Sequence, residues 1–200
     1  VTSRPLVLAS ASPARLGLLR QAGLAPEVVV SGIDEPAYEG GDPHAHVRGL
    51  AELKARAVVG RVPAGALVVG CDSMLLLESG DLVGKPADAE EAVRRWREMR
   101  GTAGRLLTGH CVIDTTTGTL VADTAETVVH FGQPSDAEIA AYVATGEPLA
   151  VAGGFTLDGR SAPFISSIAG DHGNVIGLSL PLLRLLLAQV DVAITDLWAL

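Results

Sequence analysis

A chain of 200 residues that is 48% apolar and 19% charged is expected to fold as one domain over residues 1–200, with a sizeable core and little disorder. Fifteen cationic against 23 anionic side chains leave a net charge of −8, the wrong sign for gripping a nucleic-acid backbone through general electrostatics. Cys71 and Cys111 have no CxxC spacing and read as buried unpaired thiols of a reducing cytosol. The apolar run Leu6 to Ala9 is too short for a signal segment. Leu178 to Ile194 is interrupted by Pro181, Arg184, Gln189 and Asp191, so no membrane span is expected and the location implied is cytoplasmic.

In chain order, Leu6 to Ala11 reads as a buried strand running into a helix that starts at Ser12-Pro13, where serine caps and proline suits the first helical position. Glu27 to Ser31 predicts a second strand, and the acidic loop Asp34-Glu35-Pro36 follows it. Val47, Leu50, Ala51 and Val58 predict a helix over about His44 to Val59. Ala66 to Leu77 is a long apolar strand broken by Asp72, and Glu78 to Asp81 turns it into Leu82 to Pro86. Asp88 with Glu91, and Ser135 with Glu138, are capping-box patterns before helices at Ala89 to Met99 and Asp136 to Ala144. Between those helices Leu106 to Asp114 and Thr119 to Phe131 form a hairpin through Thr115 to Gly118. The expected class is α/β with a mixed sheet and flanking helices.

Thirteen of the cations are arginine and only two are lysine, Lys54 and Lys85. Both lysines stand beside acidic or glycine-rich segments, and an ammonium is a compact point charge suited to a phosphate oxygen. Asp72 lies inside the apolar run Val68 to Leu75, where a carboxylate needs a metal ion or a cation as partner; Glu35, Lys54 and Lys85 are the candidates nearest in sequence. Ser10 and Ser12 with Arg15 place two hydroxyls and a cation at a helix N-terminus, a place that favours anions. Gly80 to Lys85 is not a P-loop, because Ser79 replaces its first glycine and Pro86 its Ser/Thr. His44 and His46, two apart at a helix start, are expected to diverge toward solvent rather than hold a metal.

Taken together and in order, these segments resemble the Maf family of nucleoside triphosphate pyrophosphatases. Ser10-Ala11-Ser12-Pro13-Ala14-Arg15 is similar to the family's Ser-x-Ser-Pro-Arg-Arg signature, and Asp34-Glu35 to its Asp-Glu pair. Lys54-Ala55, Gly70-Cys71-Asp72-Ser73, Gly84-Lys85-Pro86, Leu107-Thr108-Gly109 and Asn174 to Pro181 continue the likeness almost to the C-terminus. The resemblance implies an elongated two-lobed fold with a central cleft and a twisted mixed sheet, usually homodimeric and related to the inosine triphosphate pyrophosphatases. It implies hydrolysis of a nucleoside triphosphate to the monophosphate and pyrophosphate with Mg²⁺ or Mn²⁺. Asp72 would then be the general base, Glu35 and Asp72 the metal ligands, and Ser10, Ser12, Arg15, Lys54 and Lys85 the binders of the phosphate chain. Other roles open to such a chain are a regulator of septum formation or a nucleotide sensor that does not turn over.

Three departures stand out. Ala14 replaces the first arginine of the signature, Ser73 replaces a threonine, and Asp158 stands where the pyrimidine-directed branch has glutamine. Ser73 and Asp158 are therefore the candidates for base selection, and a carboxylate, which only accepts, suits two adjacent donors on a guanine edge.

Overall fold

In the computed structural model, which describes residues 4–199, the opening apolar run forms β1 (Leu6–Leu8), and Ser12 caps α1 (Pro13–Gln21) by accepting from Arg15 N. The chain continues through β2 (Glu27–Val28), α2 (Pro43–Arg56), β3 (Leu67–Leu76), β4 (Leu82–Val83), α3 (Ala89–Met99), β5 (Ala103–Asp114) and β6 (Leu120–Phe131). It ends with α4 (Asp136–Ala144), β7 (Ile165–Ala169), α5 (His172–Ile176) and α6 (Leu180–Gln189). The strands form one seven-stranded sheet in the order β2-β1-β3-β5-β6-β7, with β4 on β3. Parallel pairing of β1 with β2 and β3, and antiparallel pairing of β4 with β3 and β7 with β6, make it the mixed sheet expected.

Two expected strands are shorter. The first stops at Leu8, though Ala9 N still donates to Val69 O. The second is only Glu27–Val28, at the sheet edge, and its Val28 and Val30 remain exposed. The helix expected to reach Val59 ends at Arg56, followed by a 3-10 turn at Val59–Arg61. Ser135 and Glu138 form the full reciprocal box. Asp88 caps Glu91 N, but Glu91 reaches one residue further back, to Ala87 N.

The chain divides into two compact units. The first comprises the residues up to Asp72, Thr108–Ala125 and the chain from Gly177; the second comprises Ser73–Leu107 and Glu126–Ile176. In the first, α2 turns Val47, Leu50, Ala51 and Ala55 inward, and Ala51, Ala55 and Val58 pack with Val7, Ala9, Val68, Cys111 and Ile113. Cys71 and Cys111 are free and fully buried, and burial pushes their thiols up to about 11 and about 12. Such thiols stay protonated and packed rather than reactive. In the second unit Trp96 sits fully buried on α3, edge-on to Phe131, Tyr142 and Phe164, and its indole donates to Gly154 O.

Asp114, buried at the end of β5, accepts from both terminal nitrogens of Arg4 and from Thr116 N. The Arg4 hydrogen bonds hold its carboxyl down to about 2, below the ~3.9 of an unfolded aspartate. A group depressed in the folded state contributes stability that is present above its unfolded pKa and is lost as pH falls through the folded one. Wild type is therefore expected to lose more stability than Asp114→Asn between about pH 4 and about pH 2. Denaturant midpoints measured across that window decide it, and parallel slopes for the two proteins would contradict it.

Candidate active site

Parallel register between β1 and β3 pairs Leu6 with Leu67, Val7 with Val68 and Leu8 with Val69. Carried past Leu8, where β1 ends, the same register runs Ala9 and Ser10 alongside Gly70 and Cys71, next to Asp72. The carboxyl ends of parallel strands are where open α/β sheets bind ligands. Arg15, on the first turn of α1, fastens this corner: Nε donates to Gly177 O at 2.8 Å, and Nη1 to Cys71 O at 2.8 Å and to Ser10 Oγ at 3.1 Å. Ser10 Oγ also accepts from Ser12 N at 3.2 Å. Arg15 is buried, so its guanidinium holds the loop after β1, strand β3 and the entry to α6 in register.

Asp72 is 6% exposed and meets its partner across the strand. Lys54 Nζ, from the last turn of α2, donates to Asp72 Oδ1 at 2.5 Å and lies 2.6 Å from Glu35 Oε1. The lysine singled out by its scarcity is thus the cation that the buried carboxylate required. Lys54 and Asp72 side chains are nearly enclosed, whereas Glu35 is half exposed on its loop. Burial pushes the Asp72 carboxyl above its usual range, with Lys54 and Arg15 pulling the other way and Glu35 adding to the rise. A more basic carboxylate is a better acceptor of a proton from water.

The sheet lets α2 come close enough for this contact because two strand positions lack side chains. A Cβ built on Gly70 would stand 2.3 Å from Ala51 O, and one on Gly109 2.1 Å from Val47 O. Backbone of the helix therefore lies directly on backbone of β3 and β5, and Lys54 projects from a fixed base.

The remaining candidates belong to the second unit. Ser73 follows Asp72 on β3, and Lys85 and Asp158 are exposed. Lys85 is on a segment that is itself held: Gly84 O accepts from Arg95 Nη1 at 2.6 Å and from Gly153 N at 3.0 Å, and Arg95 pairs with Glu91. The bend carrying Asp158 is fixed by others. Glu147 Oε1 accepts from Thr156 Oγ1 at 2.6 Å and Arg160 N at 2.9 Å, while Ser161 Oγ accepts from Thr156 N at 2.7 Å. Among the described residues, the Asp158 carboxylate takes no part in holding that bend.

Arg95, Glu147 and His110 escaped the sequence reading. His110 is fully buried, with Nδ1 2.9 Å from Thr108 O and Nε2 accepting from Ser179 N at 2.8 Å; the first contact makes Nδ1 the protonated nitrogen. Ser179 caps α6 with Pro181 in its first turn, and no pattern local to His110 marks a partner 69 residues away. The expectation for the histidines at the start of α2 needs amending. His46 is half-buried and lies edge-on to Tyr38, 5.1 Å between ring centres, and His44 is 3.5 Å from Asp42. A pocket of about 410 Å³ lined by Pro36, His46, Glu52, Leu53, Arg56 and their neighbours shares no residue with the Glu35, Lys54 and Asp72 group.

The protein-family model described as Maf-like protein matches residues 5–190. The chain belongs to the Maf-like family. Its relatives include the nucleoside triphosphate pyrophosphatase of Streptomyces coelicolor, 66% identical over 98% of this chain and 95% of that protein. The protein of the same name from Streptomyces avermitilis is 62% identical over 98% and 95%. A crystal structure of a nucleoside-triphosphatase / dITP/XTP pyrophosphatase from Mycobacterium abscessus is distantly alike, 18% identical with a TM-score of 0.40 over 65% of this chain and 75% of that one. The resemblance read from the motifs holds for this Maf-like protein, and the enzyme class expected from the sequence is the class for which these relatives are named. No helix among the described residues is long and apolar enough to cross a membrane.

Proposed function

We propose that the protein hydrolyses a nucleoside triphosphate to the monophosphate and pyrophosphate with a divalent metal, working as a cytoplasmic homodimer. The observation that carries the reading is the convergence of Glu35 and buried Asp72 on one cation, the Lys54 ammonium, beside the end of β1. The same convergence fits a metal. Two hard carboxylate oxygens already face one positive charge, and among the described residues no cluster of three or more His, Cys, Asp or Glu side chains supplies a closed cage. Mg²⁺ and Mn²⁺ suit such a pair, since they are commonly held by one or two carboxylates with the rest supplied by water and phosphate oxygens. When bound, the ion would supply Lewis-acid neutralisation of charge on the phosphate chain.

The chain's own groups then have separable tasks. Ser10, with its oxygen already accepting two hydrogen bonds, has its hydroxyl proton to give to a phosphate oxygen. Lys54 and Lys85 bring positive charge to the polyphosphate, and Ser12 presents the α1 N-terminus, whose dipole favours an anion. Hydrolysis forms one P–O bond from water and breaks the bridging P–O bond between the α and β phosphates. Asp72 takes the proton from water, and pyrophosphate leaves with the bridging oxygen.

Lys85→Arg is expected to lower kcat/KM despite keeping the charge, because a planar guanidinium does not replace a compact ammonium at a phosphate oxygen. Steady-state kinetics tests this, and unchanged values for both Lys85→Arg and Lys54→Arg would remove the role given to the lysines.

Base choice is assigned to Ser73 and Asp158, with guanine-type triphosphates favoured over uridine and thymidine triphosphates. The Asp158 carboxylate stands on a bend that Glu147, Thr156 and Ser161 hold, so it is available to a base edge with two adjacent donors. Monophosphate and pyrophosphate release across ordinary and modified purine and pyrimidine triphosphates tests the activity. Asp158→Gln is expected to shift kcat/KM toward uridine or thymidine triphosphate, and a wild-type preference for those two would overturn the assignment.

A further inference from the structure

We propose that Lys54 is an internal counter-cation that keeps Glu35 and Asp72 from holding a divalent ion on their own, so that the protein takes its metal together with the triphosphate. This rests on the pyrophosphatase reading and deepens it, by giving the order in which the site fills.

The geometry is one of competition. Nζ of Lys54 stands 2.5 Å from Asp72 Oδ1 and 2.6 Å from Glu35 Oε1, in the place where a metal ligated by the same two oxygens would have to sit. The Lys54 and Asp72 side chains are only 11% and 8% exposed, and an ammonium enclosed to that degree does not leave its carboxylates without another anion to receive it. Two carboxylates and one ammonium present a single net negative charge to an arriving dication. Without the lysine they would present two, and no third carboxylate, histidine or thiolate joins them among the described residues.

A triphosphate changes both sides of the balance. It carries several negative charges, enough to partner an ammonium, and it brings phosphate oxygens that complete a metal's coordination. The lysine side chain is a flexible four-carbon stem, whereas its base is fixed by the close seating of α2 on Gly70 and Gly109. The ammonium is thus able to swing from the carboxylates to the polyphosphate while the helix stays in place. The same charge that shields the carboxylate pair in the absence of substrate becomes a phosphate contact in its presence. Coupling of this kind is reciprocal: nucleotide raises the affinity for metal as much as metal raises the affinity for nucleotide.

Titration with Mn²⁺, following the signal of free Mn²⁺ by electron paramagnetic resonance, tests the idea without depending on turnover. Wild type, Lys54→Met and Lys54→Gln are titrated alone and with a non-hydrolysable α,β-methylene triphosphate, using the analogue without protein as the baseline. The two substitutions serve together in case one of them fails to fold. Each folded variant is expected to bind Mn²⁺ alone at least ~10-fold more tightly than wild type, from loss of a positive charge at contact distance, and the gain should vanish on adding Glu35→Gln. The analogue should tighten Mn²⁺ binding markedly in wild type and little in the variants. Equal affinity of wild type and folded variants for Mn²⁺ alone overturns the proposal, as does a gain that survives Glu35→Gln or a wild type indifferent to the analogue. A wild type that releases pyrophosphate from no triphosphate overturns the reading beneath it, a separate result that leaves the nucleotide-free titration to decide what the lysine does.

Discussion

Asp72→Asn is expected to lower turnover by ~10²-fold or more while the protein stays folded. Asparagine keeps the shape of the side chain and loses both the negative charge and the ability to take a proton from water. Asp72 is the buried member of the carboxylate pair, 6% exposed, and burial moves its carboxyl upward. The fold should survive because the ammonium left behind keeps a partner: Lys54 remains 2.6 Å from Glu35. Glu35→Gln is the instructive contrast. Its side chain is half exposed and Lys54 would retain Asp72, so a smaller loss of turnover is expected than for Asp72→Asn. Single-turnover rates with a circular dichroism check of folding separate the two, and near-normal turnover of Asp72→Asn would place the base elsewhere.

What the sequence disclosed follows from where the information resides. Ser12-Pro13 and Ser135 with Glu138 announced helix starts because capping is decided by residues three apart. Asp72 was conspicuous because a carboxylate inside Val68 to Leu75 needs a partner, and Lys54 because the chain has only two lysines. The length of the second strand was not legible: Glu27 to Ser31 has the composition of a strand, but at the sheet edge the strand ends at Val28, with Val29 N still donating to Leu8 O, and a neighbour's extent is not written in the strand's own residues. β7 escaped because Ile165–Ala169 is short and serine-rich, with an exposure pattern set by its place against β6. Arg15 shows the same limit on the functional side. The resemblance assigns it to the phosphate chain; what its local sequence does not show is that its nitrogens also reach Gly177 and Cys71, 162 and 56 residues away. Partners that distant are fixed by the tertiary fold alone.

Gly109→Ala and Gly70→Ala are expected to be among the most damaging small substitutions in the chain. A methyl at Gly109 would fall 2.1 Å from Val47 O and 2.6 Å from Arg48 N; at Gly70 it would fall 2.3 Å from Ala51 O and 2.9 Å from Ala55 N. Each obstacle is helix backbone rather than the tip of a flexible side chain, so relief requires α2 to lift from the sheet as a body. That would open the packing of Ala51, Ala55 and Val58 against Val68 and Cys111, and overpacking without room to relax costs about 3 kcal/mol or more. The damage should also reach the chemistry, because Lys54 rides on the last turn of α2 and meets Asp72 across this contact. Neither glycine has a positive φ, which removes backbone strain as an alternative cause: alanine can adopt both conformations, and only the approach of the helix forbids it. Gly49, on α2 itself with open space around its Cβ position, supplies the control, since Gly49→Ala should raise stability slightly through helix propensity. Thermal unfolding of the three variants, read beside their kcat values, is the measurement. A Gly109→Ala protein as stable and active as Gly49→Ala would mean that α2 does not rest on the strands through these two positions.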